Sequence, residues 1–178
     1  MSGWAPPAPA LESAQEAQRW ADALGTYQRM ANGKTAQERA RAAGALADAV
    51  SEKYERQCWQ LAYGLLRQEI AREGPGGKTE EKVSGDVLHA CLKAFRRLSN
   101  KDVVAEMVKV ARAKAENPRA RTWVVWGLAK SAPLKDLTDL IDDRVLAVQV
   151  AAMDALAERA DKESAPLFLK LAGSDRTW

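Results

Sequence analysis

Two nine-residue stretches, 120–128 (ARTWVVWGL) and 148–156 (VQVAAMDAL), follow one pattern, with a small or apolar residue at places one, five and eight and leucine at place nine. At 3.6 residues per turn those places share one helical face. The same template fits 87–95 (VLHACLKAF) and, more faintly, 38–46 (ERARAAGAL). The last three copies start 33 and then 28 residues apart, the period of stacked helix pairs. The expected fold class is therefore all-α, a right-handed α-α superhelix of antiparallel helix pairs.

Composition supports the helices. Alanine, leucine, arginine, glutamate and lysine dominate, all good helix formers. With 178 residues, 47% hydrophobic and 29% charged, the chain can bury one substantial core. No run is long and apolar enough to span a bilayer, and the compartment is assigned as cytoplasmic only by default. Cys58 and Cys91 lie far apart inside helical patterns, without a CxxC or a ligand-spaced histidine, and read as two buried thiols.

Residues 1–9 carry Pro6, Pro7 and Pro9 and read as a disordered lead-in. A single domain over 10–178 follows, in three parts. Irregular helices are expected over 10–73, a loop over 74–85 centred on GPGG, and regular repeats over 86–178. In the first part a helix from Leu11 stops at Asn32 and Gly33, and TAQE from Thr35 is a capping box opening the next. A third helix restarts near Tyr54. In the repeats, helices are expected over 86–98, over 102–116 with Asp102 as cap, from Pro118, from Pro133, and over 145–159 behind Asp142 and Asp143. A last helix, 164–172, is apolar on more than one stripe, and 174–178 repeats the corner begun at Asp142. The sequence thus predicts an array truncated at its C-terminal end, with self-association through that end.

Helix pairs with an aspartate at the corner and a V-[RQ]-x-x-A-x-x-A-L first helix resemble HEAT repeats, in particular the short bacterial HEAT-like kind. The residues that carry the resemblance are Asp143, Val148, Gln149, Ala152, Ala155, Leu156, Pro166, Leu167 and Leu171, with Ala120, Arg121, Val124, Gly127 and Leu128 one repeat earlier. Gln149 replaces the usual corner arginine, and the helices before Asp86 depart from the pattern in length. The resemblance implies a scaffold, most often for protein partners; fold alone does not assign the task.

Charge is segregated. Between Lys93 and Lys135 eleven basic residues face three acids, and between Asp136 and Glu163 eight acids face three bases. Lys101, Lys109, Arg112 and Lys114 gather on the expected 102–116 helix, the second of its pair, and Arg119, Arg121 and Trp126 follow on the next. These seven are the candidate partner-binding residues. Trp126 occupies a place filled by Lys93 and Asp154 in the sister helices, where solvent is expected. No catalytic, cofactor or metal signature is present: His89 is the single histidine, and Asp136, Asp139, Asp142 and Asp143 match no calcium loop or paired-carboxylate spacing. The primary reading is a non-enzymatic protein-interaction scaffold without cofactor. The alternative is a nucleic-acid-binding or DNA-repair protein, since tryptophans beside arginines resemble the HEAT-like alkylpurine DNA glycosylases.

Overall fold

The computed structural model describes residues 8–72, 83–159 and 165–166, with side chains from Ser13 onward. The expected loop at 74–82, the C-terminal helix beyond Pro166, the repeated corner at 174–178 and the lead-in before Ala8 lie outside the described residues. Among the described residues there are eight helices and no strand: α1 (Ala8–Met30), α2 (Ala36–Asp48), α3 (Glu55–Ala71), α4 (Gly85–Phe95), α5 (Lys101–Arg112), α6 (Pro118–Gly127), α7 (Leu134–Leu140) and α8 (Leu146–Arg159). None is long and apolar enough to cross a membrane. The all-α expectation is met. α1 already includes Pro9, because the missing proline N–H costs nothing in a first helical turn.

The four template stretches lie in α2, α4, α6 and α8, and place one is the third residue of its helix each time. The place-two N–H then makes the first intrahelical bond: Arg39 to Thr35 O, Leu88 to Ser84 O, Arg121 to Asn117 O and Gln149 to Val145 O. The faint first copy is thus in register with the others. The corners before α2 and α8 share two bonds. Gly33 N–H donates to Met30 O at 2.9 Å and Asp143 N–H to Leu140 O at 3.2 Å. Arg39 Nη1 then donates to Gly33 O at 3.1 Å, and Gln149 Nε2 to Asp143 O, six residues back in both cases. Glutamine at place two therefore does part of what arginine does. Gly33 is required by proximity, since a Cβ there would meet Glu38 Cβ at 2.6 Å and Met30 O at 2.9 Å.

The chain divides into two compact units, 1–97 and 98–178. In the first, α2 packs against α1, α3 and α4, and α3 packs against α4. Its core includes Ala42, Ala43, Leu46, Cys58, Leu65, Leu66, Val87, Cys91 and Phe95. The capping box is present as expected, with Thr35 Oγ1 accepting from Glu38 N–H and Glu38 Oε2 from Thr35 N–H; these bonds hold the Glu38 carboxyl below the ordinary range. Residues 49–54 separate α2 from α3 as a turn, stacked over by Trp20 on Tyr54 with centroids 4.9 Å apart. Arg39 and Glu69 are both buried and paired at 2.7 Å, and Glu69 also accepts from Ser84 N–H at 2.9 Å, tying α2, α3 and the start of α4 together. Both cysteines are buried and free. Burial, and secondarily Glu55, pushes the Cys58 thiol up to about 12, and burial pushes Cys91 up as well. Neither is poised as a nucleophile.

In the second unit, α6 packs against α5 and α8, and α7 against α8. Val104, Met107, Val124, Val125, Leu128, Leu137, Val148, Ala152 and Leu156 form its core. Two local expectations change. The cap of α5 is Asn100, whose Oδ1 accepts from Asp102 and Val103 N–H; this asparagine stands one place before the helix, where a side-chain oxygen reaches the open donors. α5 ends at Arg112, so Lys114 lies in the following turn rather than on the helix.

Candidate interaction site

The seven candidate residues separate into three groups. Arg121 is 2% exposed and belongs to the core. Its Nε donates to Ala111 O at 2.8 Å and its Nη2 to Asp143 Oδ2, so it links the end of α5 to the corner before α8. Asp143 in turn accepts from Val145 N–H at 2.9 Å. Burial pushes the Asp143 carboxyl up, but the Arg121 and Val145 hydrogen bonds and the charges of Arg121 and Lys114 outweigh it and leave it below the ordinary range. Arg121 therefore offers nothing to a partner: an arginine at place two faces the corner, and no signal in the local sequence besides its equivalence with Arg39 distinguishes it from a surface cation.

Trp126 is half-buried. Its ring meets Trp123 edge-on, centroids 5.0 Å apart at 86°, and its Nε1 donates to Asp154 Oδ2 at 3.3 Å. Trp126 and Asp154 hold the same place in neighbouring template helices, so the place that leaves Lys93 paired with Asp48 at 2.8 Å in the first unit carries a cross-helix contact here too. Trp123 is 9% exposed, and the pair does not form an open stacking platform. Arg119 is exposed at the start of α6.

Of the remaining four, Lys101, Lys109 and Arg112 share one arc, while Lys114 lies in the turn after α5. On the α5 wheel Lys101, Ala105, Lys109 and Arg112 fall within roughly 80° of one another, and this arc faces α7. Arg112 Nη2 donates to Asp136 Oδ1 at 2.8 Å and Asp139 Oδ2 at 2.7 Å, clamping the C-terminal end of α5 to α7. Toward the other end of α5 the two helices frame a cavity of about 420 Å³, lined by Val104, Ala105, Val108, Ala132 and Pro133 with Ser99 and Ser131, and rimmed by Lys101, Lys130, Arg159 and Asp136. Lys130 reaches Glu158 only at 4.0 Å and is 71% exposed; Arg159 donates to Ala132 O at 2.6 Å. Among the described residues neither Lys101 nor Lys109 forms an ion pair. An aliphatic floor inside a cationic rim can take an apolar group carried between negative charges. Sequence reasoning found Lys101 through its charge; Lys130, Arg159 and the floor were missed, because three separate elements supply them.

Among the described residues no cluster of histidine, cysteine and acidic side chains is placed to hold a metal. His89 is exposed, beside Lys93 and Arg96. Of the acidic residues expected as caps and solvated groups, Asp136 and Asp139 hold Arg112, and Asp143 holds Arg121 and accepts from Val145 N–H just before α8. No family model, curated protein or solved structure matches this chain.

Proposed function

We propose that the chain is a non-catalytic interaction module, a right-handed α-solenoid of HEAT-like repeats that binds a protein partner along the α5–α7 face. The observation that carries the reading is the mainly aliphatic cavity between α5 and α7 with Lys101 on its rim and Lys109 on the same arc of α5, neither in an ion pair among the described residues. Interaction surfaces combine a desolvated apolar centre with a polar border, and repeat folds present such surfaces on the second helix of each pair. The corner bonds shared by α2 and α8 support the repeat reading. Small-angle scattering tests the superhelix: a compact domain of this length has a radius of gyration of about 16 Å, and a value no larger than that rejects the solenoid.

The functional test is site-specific photocrosslinking in living cells with a benzophenone side chain at Ala105, at Lys109 and, as a comparison, at the exposed Gln37 of α2. The expected result is protein adducts at the first two positions, resistant to nuclease and absent at Gln37. Adducts that nuclease removes, or equal recovery from all three positions, overturn the reading. The nucleic-acid alternative gains no support from the buried Arg121 and Trp123 or from Arg112, whose guanidinium is already held by two carboxylates.

A further inference from the structure

From the chemistry of the α5–α7 cavity we infer that its occupant is a short acidic protein segment that inserts one or two aliphatic side chains between flanking carboxylates. The inference rests on the reading of this face as a partner-binding surface and adds the partner's chemistry. Two features select the occupant. The floor is mainly aliphatic, from Val104, Ala105 and Val108 on α5 and Ala132 and Pro133 beside α7, with Ser99 and Ser131 at its edge, so it suits leucine, isoleucine or valine and has no ring on which a nucleobase stacks. The cations are spread around it: Lys101 on α5, Lys130 after α6 and Arg159 at the end of α8. Among the described lining residues the one carboxylate, Asp136, is already bound by Arg112, and Lys101 has no ion pair among the described residues, so its ammonium is left to whatever enters.

That distribution fits a chain better than a small anion. Cations from three elements complement several carboxylates spaced along a segment, whereas a compact ligand needs a few convergent polar groups, and besides its charged rim the cavity offers only the hydroxyls of Ser99 and Ser131. The volume, about 420 Å³, falls in the ligand-sized range of roughly 300–1,000 Å³. Charge on the rim directs the approach and orientation, while the desolvated floor holds the anchor. Lys109, on the same arc of α5, extends the positive track beyond the cavity.

The test is fluorescence anisotropy on the full chain with a labelled octapeptide of two adjacent leucines flanked on each side by three glutamates. Saturable binding is expected, at least tenfold weaker when the leucines become serines and at least tenfold weaker in the Lys101→Glu, Lys130→Glu double variant. Ala105→Trp, at an exposed position on the floor, should fill the cavity and reduce affinity by a similar factor. A measurement without any substitution accompanies it: methyl resonances of Val104 and Val108 should shift on addition of the peptide. The inference is overturned if the serine peptide binds as well as the leucine peptide, or if an oligothymidylate or octanoate competes at equal concentration. It is also overturned if the methyls of Val104 and Val108 stay in place. Failure here with nuclease-resistant protein adducts at Ala105 would reject this partner chemistry and leave the interaction reading standing; absence of those adducts would reject both.

Discussion

Arg121 and Asp143 show how far a residue's role depends on what surrounds it. A guanidinium that is 2% exposed requires a counter-charge, and Asp143 provides it while also accepting from Val145 N–H just before α8. Replacing Asp143 with alanine leaves a buried cation with only Ala111 O, and breaking a buried pair in this way costs about 3 kcal/mol or somewhat more. Urea denaturation at pH 7 should show that loss. The pH dependence has a definite sign. Because the carboxyl is held below its ordinary range in the folded chain, its contribution is complete above the unfolded carboxylate pKa of about 3.9. It disappears as pH falls through the lowered folded value. The stability gap between the native chain and Asp143→Asn should therefore be constant from pH 7 to about pH 5 and close under stronger acid; a gap that persists at the lowest accessible pH would contradict the assignment. Gln149 shows the limited version of the same device, bonding the corner carbonyl of Asp143 without needing a counter-ion.

Helix starts carry most of the information at the level of the element. Thr35 with Glu38, Asn100 and Asn117 each place a side-chain oxygen on open backbone donors, and Pro118 occupies a position where its missing N–H is harmless. Such signals are local, so the starts of α2 and α6 were legible from sequence. At α5 the sequence pointed to Asp102, and the backbone gives the role to Asn100 two places earlier. Asn100→Ala should lower stability by about 1 kcal/mol and Asp102→Ala by less, since an exposed acid in the first turn acts only through the helix dipole, about 0.3–1 kcal/mol. Parallel thermal melts of the two variants decide it, and a larger loss for Asp102→Ala would restore that residue as the cap. Helix ends are less legible: α5 stops at Arg112, four residues before the expected end, because the apolar stripe already closes at Ala111 and nothing beyond it is buried before Ala120.

Among the described residues part of the segregated charge is paired internally. The basic middle and the acidic stretch that follows meet in the second unit, where Arg112 bonds Asp136 and Asp139 and Arg121 bonds Asp143. Lys101 and Lys109 on α5 are left without an ion pair among the described residues, and Lys130 stays largely exposed. The chain is accordingly expected to give no gel shift with duplex or single-stranded DNA at physiological salt, where non-specific binders show dissociation constants of roughly 10⁻⁴–10⁻⁶ M. A micromolar shift that Lys109→Ala with Arg112→Ala abolishes would reverse this conclusion and revive the nucleic-acid reading.

Periodicity and caps determined that the described residues are helical, roughly where each template helix begins and which apolar face it buries, because a helical face repeats every three to four positions and its caps lie within one turn of its ends. The partners of those faces were not determined. Arg39 and Arg121 look like surface cations in the sequence, yet each is buried, since the carboxylates that neutralise them lie 30 and 22 residues away. The cavity between α5 and α7 likewise exists only once residues between 99 and 159 are brought together. Contacts across that separation are set by how the helices pack, and only the tertiary structure decided them.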